Sequence, residues 1–256
     1  MLFTDGSISN VDQLAEYESE IRQVASAESI NLETKLTLAQ TEMGVELLAT
    51  SVQPDDGNMW AGWIRNGFHL DQVVVTKALQ LWHIFATLAA VYRNAYNRKL
   101  NDKYLPKWNE YRELAESAEN NCLTIGVGLV NKPLPAPSAP TLTAVTGGSL
   151  PAANYSVQTT WVNESGQESM PSPETALGVS AGQLVQVQPA PPPPSAIGWF
   201  AYVSTVSGQE QKQFVVPINP YYAWTLPVSG LIAGPAPGNG QPYDILRTVP
   251  RTLQRG

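Results

Sequence analysis

The chain has 256 residues, with 22 Asp+Glu against 15 Lys+Arg and a formal net charge of −7, a length that allows one or two domains large enough to bury a core. The acidic balance excludes a protein that grips nucleic acid through a basic surface, though not a wall that DNA passes without sticking. No run approaches the roughly 20 apolar residues of a membrane span, Met1-Leu2-Phe3-Thr4-Asp5-Gly6 is no secretory signal, and the single Cys122 gives no disulfide framework, so synthesis in the reducing cytosol is expected.

Thr4-Asp5-Gly6-Ser7 has turn composition. Asn10 followed by Gln13 predicts a capping box, opening a helix whose stripe Leu14, Tyr17, Ile21, Val24 runs to about Ala27. Asn31 caps a second helix, with Leu32, Leu36, Ala39, Met43, Val45 and Leu47 facing inward and an end near Ala49. Glu16, Glu18, Glu20, Glu28, Glu33, Glu42 and Glu46 decorate these helices. They form either a solvated face or an acidic lining that repels DNA, for which Glu16, Glu20, Glu42 and Glu46 are the candidates. Residues 51–70 read as a loop containing the turn Asp55-Asp56-Gly57-Asn58. Its Trp60, Trp63 and Phe68 either fold back onto the helices or anchor a partner.

Residues 71–125 are the centre of the chain. Ala78, Trp82, Phe85, Ala89, Tyr92 and Tyr96 recur at steps of three and four, as do Tyr104, Trp108, Tyr111, Ala115, Ala118, Cys122 and Ile125. Asn97, Asn101 and Asp102 suit a short turn between them. The pattern predicts a long antiparallel helical hairpin zipped along two aromatic stripes, with Pro106 in the first turn of its second helix. A second seam, Val74, Leu81, Leu88 and Ala95, needs cover from the other N-terminal helices or a neighbouring subunit.

The composition then shifts. Residues 1–135 hold 17 acidic and 11 basic residues, net −6; residues 136–256 hold 5 and 4, net −1; and most prolines follow Lys132. Residues 133–140, with four prolines, read as a stiff linker. From Thr141 the period becomes two: Leu142 and Ala144; Tyr155, Val157, Thr159 and Trp161; Leu184, Val185 and Val187; Trp199, Ala201 and Val203; Phe214 and Val216. These short strands, split by turn signals, predict a small β-sandwich. Residues 189–194 are a polyproline stretch, either a recognition motif or a loop crossing between sheets. The last residues are Pro- and Gly-rich and end in Arg247, Arg251 and Arg255, a mildly basic arm.

Gly148, Ala153-Asn154-Tyr155-Ser156-Val157, Trp161-Val162-Asn163, Gly166-Gln167-Glu168-Ser169, Ser172-Pro173 and Trp199-Phe200-Ala201-Tyr202-Val203-Ser204 resemble the fibronectin-III or immunoglobulin-like module appended to many bacteriophage virion proteins. That resemblance implies the fold of residues 139–225 and little about function. Trp82-His83 through Leu88, Tyr92-Arg93-Asn94-Ala95-Tyr96, Leu100-Asn101-Asp102-Lys103-Tyr104 and Lys107-Trp108 resemble the neck proteins of tailed phages. The family of head-to-tail adaptors implies a ring, a dodecamer, below the portal, joining capsid to tail while DNA passes through. The same likeness implies contacts of Arg247, Arg251 and Arg255 with the portal or a neighbour, other neck and tail proteins as partners, and a place in the virion after synthesis in the bacterial cytoplasm. A fused β-sandwich departs from the minimal adaptor.

Catalytic patterns are missing: there is no Gly-x-Ser-x-Gly elbow and no Gly-rich phosphate loop ending in Lys. His69 and His83 are too few for a metal centre, and Cys122 fits a core stripe. No catalytic, cofactor or metal site and no membrane partner is expected. The expected architecture is α+β in two domains: helices over 1–132, the linker 133–140, an Ig/FN3-like sandwich over 141–225 and an extended arm over 226–256. An alternative to the adaptor is a tail or baseplate protein whose sandwich binds a host-surface glycan through Trp199, Tyr202, Tyr221, Tyr222 and Trp224.

Overall fold

The computed structural model describes residues 1–51, 69–99 and 102–246. Trp60, Trp63 and Phe68, the turn Asp55-Asp56-Gly57-Asn58, and Arg247, Arg251 and Arg255 lie outside the described residues. Those described form five α-helices and antiparallel sheets, a mixed α+β chain. None of the helices is long and apolar enough to cross a membrane. The chain divides into two compact units, one of Gly6–Leu129 with the chain from Tyr243, the other of Met1–Asp5 with Val130–Pro242. The backbone thus passes between units three times, where the sequence pointed to one crossing at a proline linker.

In the helical unit Asn10 caps α1 (Val11–Tyr17) through the expected capping box with Gln13. The single helix expected to Ala27 is broken: Glu18 leaves α1 in an extended conformation, and α2 (Ile21–Ala27) starts afresh. The break turns the Glu18 carboxylate inward, where it meets partners on another helix. Asn31 caps α3 (Leu32–Ser51), its side chain accepting from the Thr34 amide at 3.1 Å. Leu36, Ala39, Met43 and Leu47 are its buried stripe, but Val45, expected inside, is 63% exposed. Two residues past Met43 the helix has turned about 200°, so both cannot face one core.

The hairpin is formed by α4 (Lys77–Lys99) and α5 (Leu105–Ile125), with a 3-10 turn at Asp102–Tyr104 and Pro106 at the start of α5. Tyr92 stacks on Tyr111 with centroids 5.5 Å apart, Tyr96 meets Trp108 at 5.6 Å, and Tyr104 lies 6.2 Å from Tyr92. Each such pair adds about 0.5–1.5 kcal/mol beyond the area it buries. On the second seam Leu88 and Ala95 are buried in a core shared with Leu14, Ile21, Val24 and Leu36, so the N-terminal helices provide its cover. The unit ends in a small sheet in which β1 (Val73–Val74) and β10 (Asp244–Leu246) flank β2 (Val127–Leu129). A Cβ on Gly126 would stand 2.7 Å from Ile245 Cγ2, and one on Gly128 2.8 Å from the Tyr243 ring, so these glycines admit β10.

In the β unit a three-stranded sheet orders β3 (Thr141–Thr146), β6 (Gln183–Gln188) and β9 (Trp224–Thr225). A four-stranded sheet orders β5 (Thr175–Val179), β4 (Ala153–Val162), β7 (Gly198–Ser204) and β8 (Gln211–Lys212). Both sheets feed one core through Val185 and Val187 from β6, Tyr155, Val157 and Trp161 from β4, and Trp199, Ala201 and Val203 from β7. The polyproline stretch joins β6 to β7, the crossing between sheets. Ala144 is exposed although it pairs with the buried Val185 of β6, while Leu142 and Val145 are half-buried against the core at the edge strand β3. Phe214 and Val216 are not a strand: Phe214 packs on the core, but Val216 is 72% exposed in a bend before Pro217, which has no N–H for a ladder.

Residues 133–140 are no free linker. Leu134 is buried in the β-unit core, its amide donates to Gln241 Oε1 at 2.6 Å, and the Ala136 amide donates to Asp5 Oδ1 at 2.9 Å. Of the expected arm, Leu226 is buried and Ile232 exchanges bonds with the Gln213 side chain, before the chain ends its described course in β10.

One core atom is out of balance. Thr159 Oγ1 is buried with no hydrogen-bond partner among the described residues, a state that costs about 1–3 kcal/mol. Thr159→Val keeps the β-branched shape and removes that hydroxyl. Its urea midpoint should rise, corresponding to about 1 kcal/mol of added stability; an unchanged or lower midpoint would show that the hydroxyl is satisfied.

Candidate functional site

The best-defined polar constellation lies where α1 and α2 meet the hairpin. Glu18 and Glu28 are the residues that end α1 and α2, and each is only 7% exposed. Both were expected to be exposed, on a solvated face or in an acidic lining. A helix C-terminus disfavours a carboxylate, so each needs other partners. Tyr111 OH donates to Glu18 Oε2 at 2.8 Å, Lys107 Nζ lies 3.1 Å from the same oxygen, and Tyr104 OH donates to Glu28 Oε1 at 3.1 Å. Burial acts to raise the Glu18 pKa, but the bonds from Tyr111, Lys107 and the Glu20 amide, with the Lys107 charge, bring it below the ordinary value. The Tyr111 hydroxyl is pushed up by burial and then by Glu18, and the Lys107 pKa is raised first by its bond to Glu18.

The four candidate lining residues fall into two groups. Glu16 and Glu20 are exposed on the N-terminal helices, and the charge of Glu20 bears on Tyr92. Glu42 is exposed on α3 and Glu46 half-buried. The pKa of Glu119 on α5 is raised by burial and then by the Glu46 charge. Tyr111, the stacking partner of Tyr92, and Glu119 are eight residues apart, about 12 Å of helical rise. The same helix buries Cys122, whose thiol is pushed up to about 11 by burial and by Glu119; it is an inert core side chain. His69 is exposed, and no three His, Cys, Asp or Glu side chains gather as a metal-holding group among the described residues.

The aromatic set expected as a stacking platform is divided. Trp199 is fully buried and Tyr202 is buried on the opposite face of β7, with its hydroxyl donating to Glu168. Trp224 packs against Phe214. Tyr221 and Tyr222 alone stand out, 72% and 68% exposed. They are held there by a turn in which Asn219 Oδ1 accepts from the Tyr221 amide and the Tyr222 carbonyl accepts from Trp199 Nε1 at 3.1 Å.

Sequence reading missed the serine edge of β4. Ser169 and Ser172 each donate a backbone N–H to β4, at Trp161 and Thr159, and each side-chain oxygen accepts the amide of that same residue. Serine–two residues–serine after an Asn–Gly turn is the signal that could have found it. Asn163, the start of that turn, accepts from the amides of Ser165 and Gln167.

Glu18 gives a pH test with a definite sign. Its folded pKa is depressed, so its contribution is full above about 4.3, the unfolded value, and is lost as pH falls through the folded value. Urea unfolding of the parent and of Glu18→Gln should differ most near neutrality and converge at acid pH. Tyr111→Phe should cost about 1.5–3 kcal/mol near neutrality; equal stabilities there would remove Glu18 from the hinge of the unit.

No protein-family model matches this chain, and no curated protein matches it either.

Proposed function

We propose that this chain is a structural virion protein of a tailed bacteriophage, a head-to-tail adaptor without enzymatic activity. Copies form a ring below the portal, a dodecamer in the family it resembles, which joins capsid to tail and lets DNA pass. The observation that carries this reading is the zipped hairpin. Tyr92, Tyr96, Tyr104 and Trp108, which carry the likeness to neck proteins, are the residues whose rings hold α4 to α5. A rigid antiparallel rod of this kind suits the wall of a ring, in which identical chains meet head to tail with closed symmetry. Glu16, Glu20, Glu42 and Glu46 at two levels of the unit would face the channel and repel the duplex, since like charge releases no counterions on contact.

The β unit is an immunoglobulin/fibronectin-III-like decoration in this reading. Its chain crosses between the two sheets four times, and the motif residues Asn163, Ser169 and Ser172 build the turn and the edge of β4. The partners are the portal, through Arg247, Arg251 and Arg255, and other neck and tail proteins.

Mixing the purified chain with the portal of the same virion should give a ring complex, seen by sedimentation and by electron microscopy. A chain ending at residue 246 should lose most of that assembly. Finding the chain at a tail tip or baseplate in an imaged virion would overturn the proposal.

The outward Tyr221–Tyr222 pair favours a second reading, a tail protein that stacks these rings on a host glycan. In that case Tyr221→Ala with Tyr222→Ala should abolish retention on host cells while the thermal unfolding midpoint stays put. Retention by the double variant would dismiss it. Trp199→Ala is no substitute, because it empties the β-unit core.

A further inference from the structure

His83 is fully buried on α4, away from the Glu18 constellation, and no role proposed above uses it. Its two ring nitrogens join separate parts of the chain. Nε2 lies 2.9 Å from the Leu36 carbonyl of α3, and Nδ1 lies 2.7 Å from Ser9 Oγ. A carbonyl only accepts, so Nε2 carries the proton and Nδ1 accepts from the Ser9 hydroxyl. Ser9 ends a strap, residues 6–9, that is held by both helices at once. Gln40 of α3 donates to the Gly6 carbonyl at 2.9 Å and accepts from the Ile8 amide at 3.3 Å, and Gln80 of α4 donates to the Ile8 carbonyl at 3.3 Å. Ile8 and Ser9 are both buried.

We propose that His83 is an acid-operated latch: the neutral imidazole pins residues 6–9 across α3 and α4, and a second ring proton frees that strap while the α4–α5 hairpin stays zipped. The ring bonds Ser9 and the Leu36 carbonyl, and the neighbouring bonds to the strap and to the His83 backbone come from Gln40, Gln80 and Thr87, none of them charged. An imidazolium there would be buried with no counter-ion among the described residues, which is costly, and local opening that lets water reach it is the available relief. Burial lowers the His83 pKa and the Leu36 carbonyl opposes that, with no charged group among the causes. The sign follows: the opened state binds more protons, so the latch is closed above about pH 6.5 and weakens by up to about tenfold per pH unit below it. The hairpin is held by the rings of Tyr92, Tyr96, Tyr104 and Trp108, and the Glu18 carboxylate that ties α1 to it persists to lower pH. Mild acid therefore separates the two events.

The test is hydrogen exchange of the full chain at about pH 7.5 and about pH 5.5, corrected for the intrinsic change of amide exchange with pH. Residues 8–9 should lose about tenfold in protection on acidification while α4 and α5 keep theirs. His83→Gln, which can still donate to Leu36, should show no such loss. Should that variant fail to fold, Ser9→Ala should leave the strap open at both pH values with the hairpin protected. Imidazole resonances, with only His69 and His83 to assign, should place the titration of His83 below about 6.5. Four results would each overturn the latch: equal strap protection at both pH values, strap and hairpin opening together, the same acid loss in His83→Gln, or a His83 titration at or above the ordinary value.

Discussion

The bond from Tyr111 to Glu18 is the contact on which the helical unit turns. It exists because α1 stops at Tyr17 instead of running on into α2, leaving Glu18 extended and its carboxylate bonded to α5. Tyr111 is also the ring on which Tyr92 stacks. One side chain therefore belongs to both the aromatic zipper and the polar anchor, and the position of α1 is tied to the register of the hairpin. Lys107 secures the same carboxylate from one turn earlier on α5 and reaches Glu110 at 3.3 Å. Burying Glu18 is tolerable because every bond it gains favours the ionised form, and those bonds outweigh its desolvation.

The β unit meets a different constraint, the protection of its strand edges. Strand β4 pairs with β5 only over its first half. Beyond that, Ser169 and Ser172 take the place of a neighbouring strand, each satisfying one amide and one carbonyl. Strand β8 has two residues, and the stretch after β9 lies beside it, with the Lys212 amide donating to the Pro235 carbonyl and Gln213 and Gln211 binding the backbone at 232–234. A bare edge would invite pairing with another chain. Loop and side-chain bonds here do what a longer strand would do elsewhere, which explains why so Pro- and Gly-rich a tail is held in place.

Much of this was legible from spacing. The hairpin could be read because its aromatic positions recur at helical steps over two long runs, and the Asn10 and Asn31 caps because their hydrogen bonds are local. What failed was what depends on distant partners. Glu18 and Glu28 look like any other acids until the ends of α1 and α2 are known, because only then does a carboxylate at a helix C-terminus demand an explanation. Val45 was misplaced by counting apolar residues without their angle. Composition marks one boundary near Lys132, whereas Met1–Asp5 and the chain from Tyr243 change units at a turn and in a Pro- and Gly-rich stretch that look like any other loop. The serine edge could have been suspected from its motif, but its role needs the short pairing of β5 to be seen.

Trp199 shows why a list of aromatic residues is a poor guide to a surface. Successive residues of a strand face opposite ways, so Trp199 and Tyr202 of β7 could never have shared one platform. The buried indole still reaches outward through its single polar atom: Nε1 holds the Tyr222 carbonyl, and the Trp199 backbone pairs with Ile218. The loop that displays Tyr221 and Tyr222 is thereby fastened to the centre of the β unit. These bonds hold the backbone beneath the two rings, so it is mainly side-chain rotation that contact with another molecule would restrict. Their exposure follows from where the core anchors the loop that carries them.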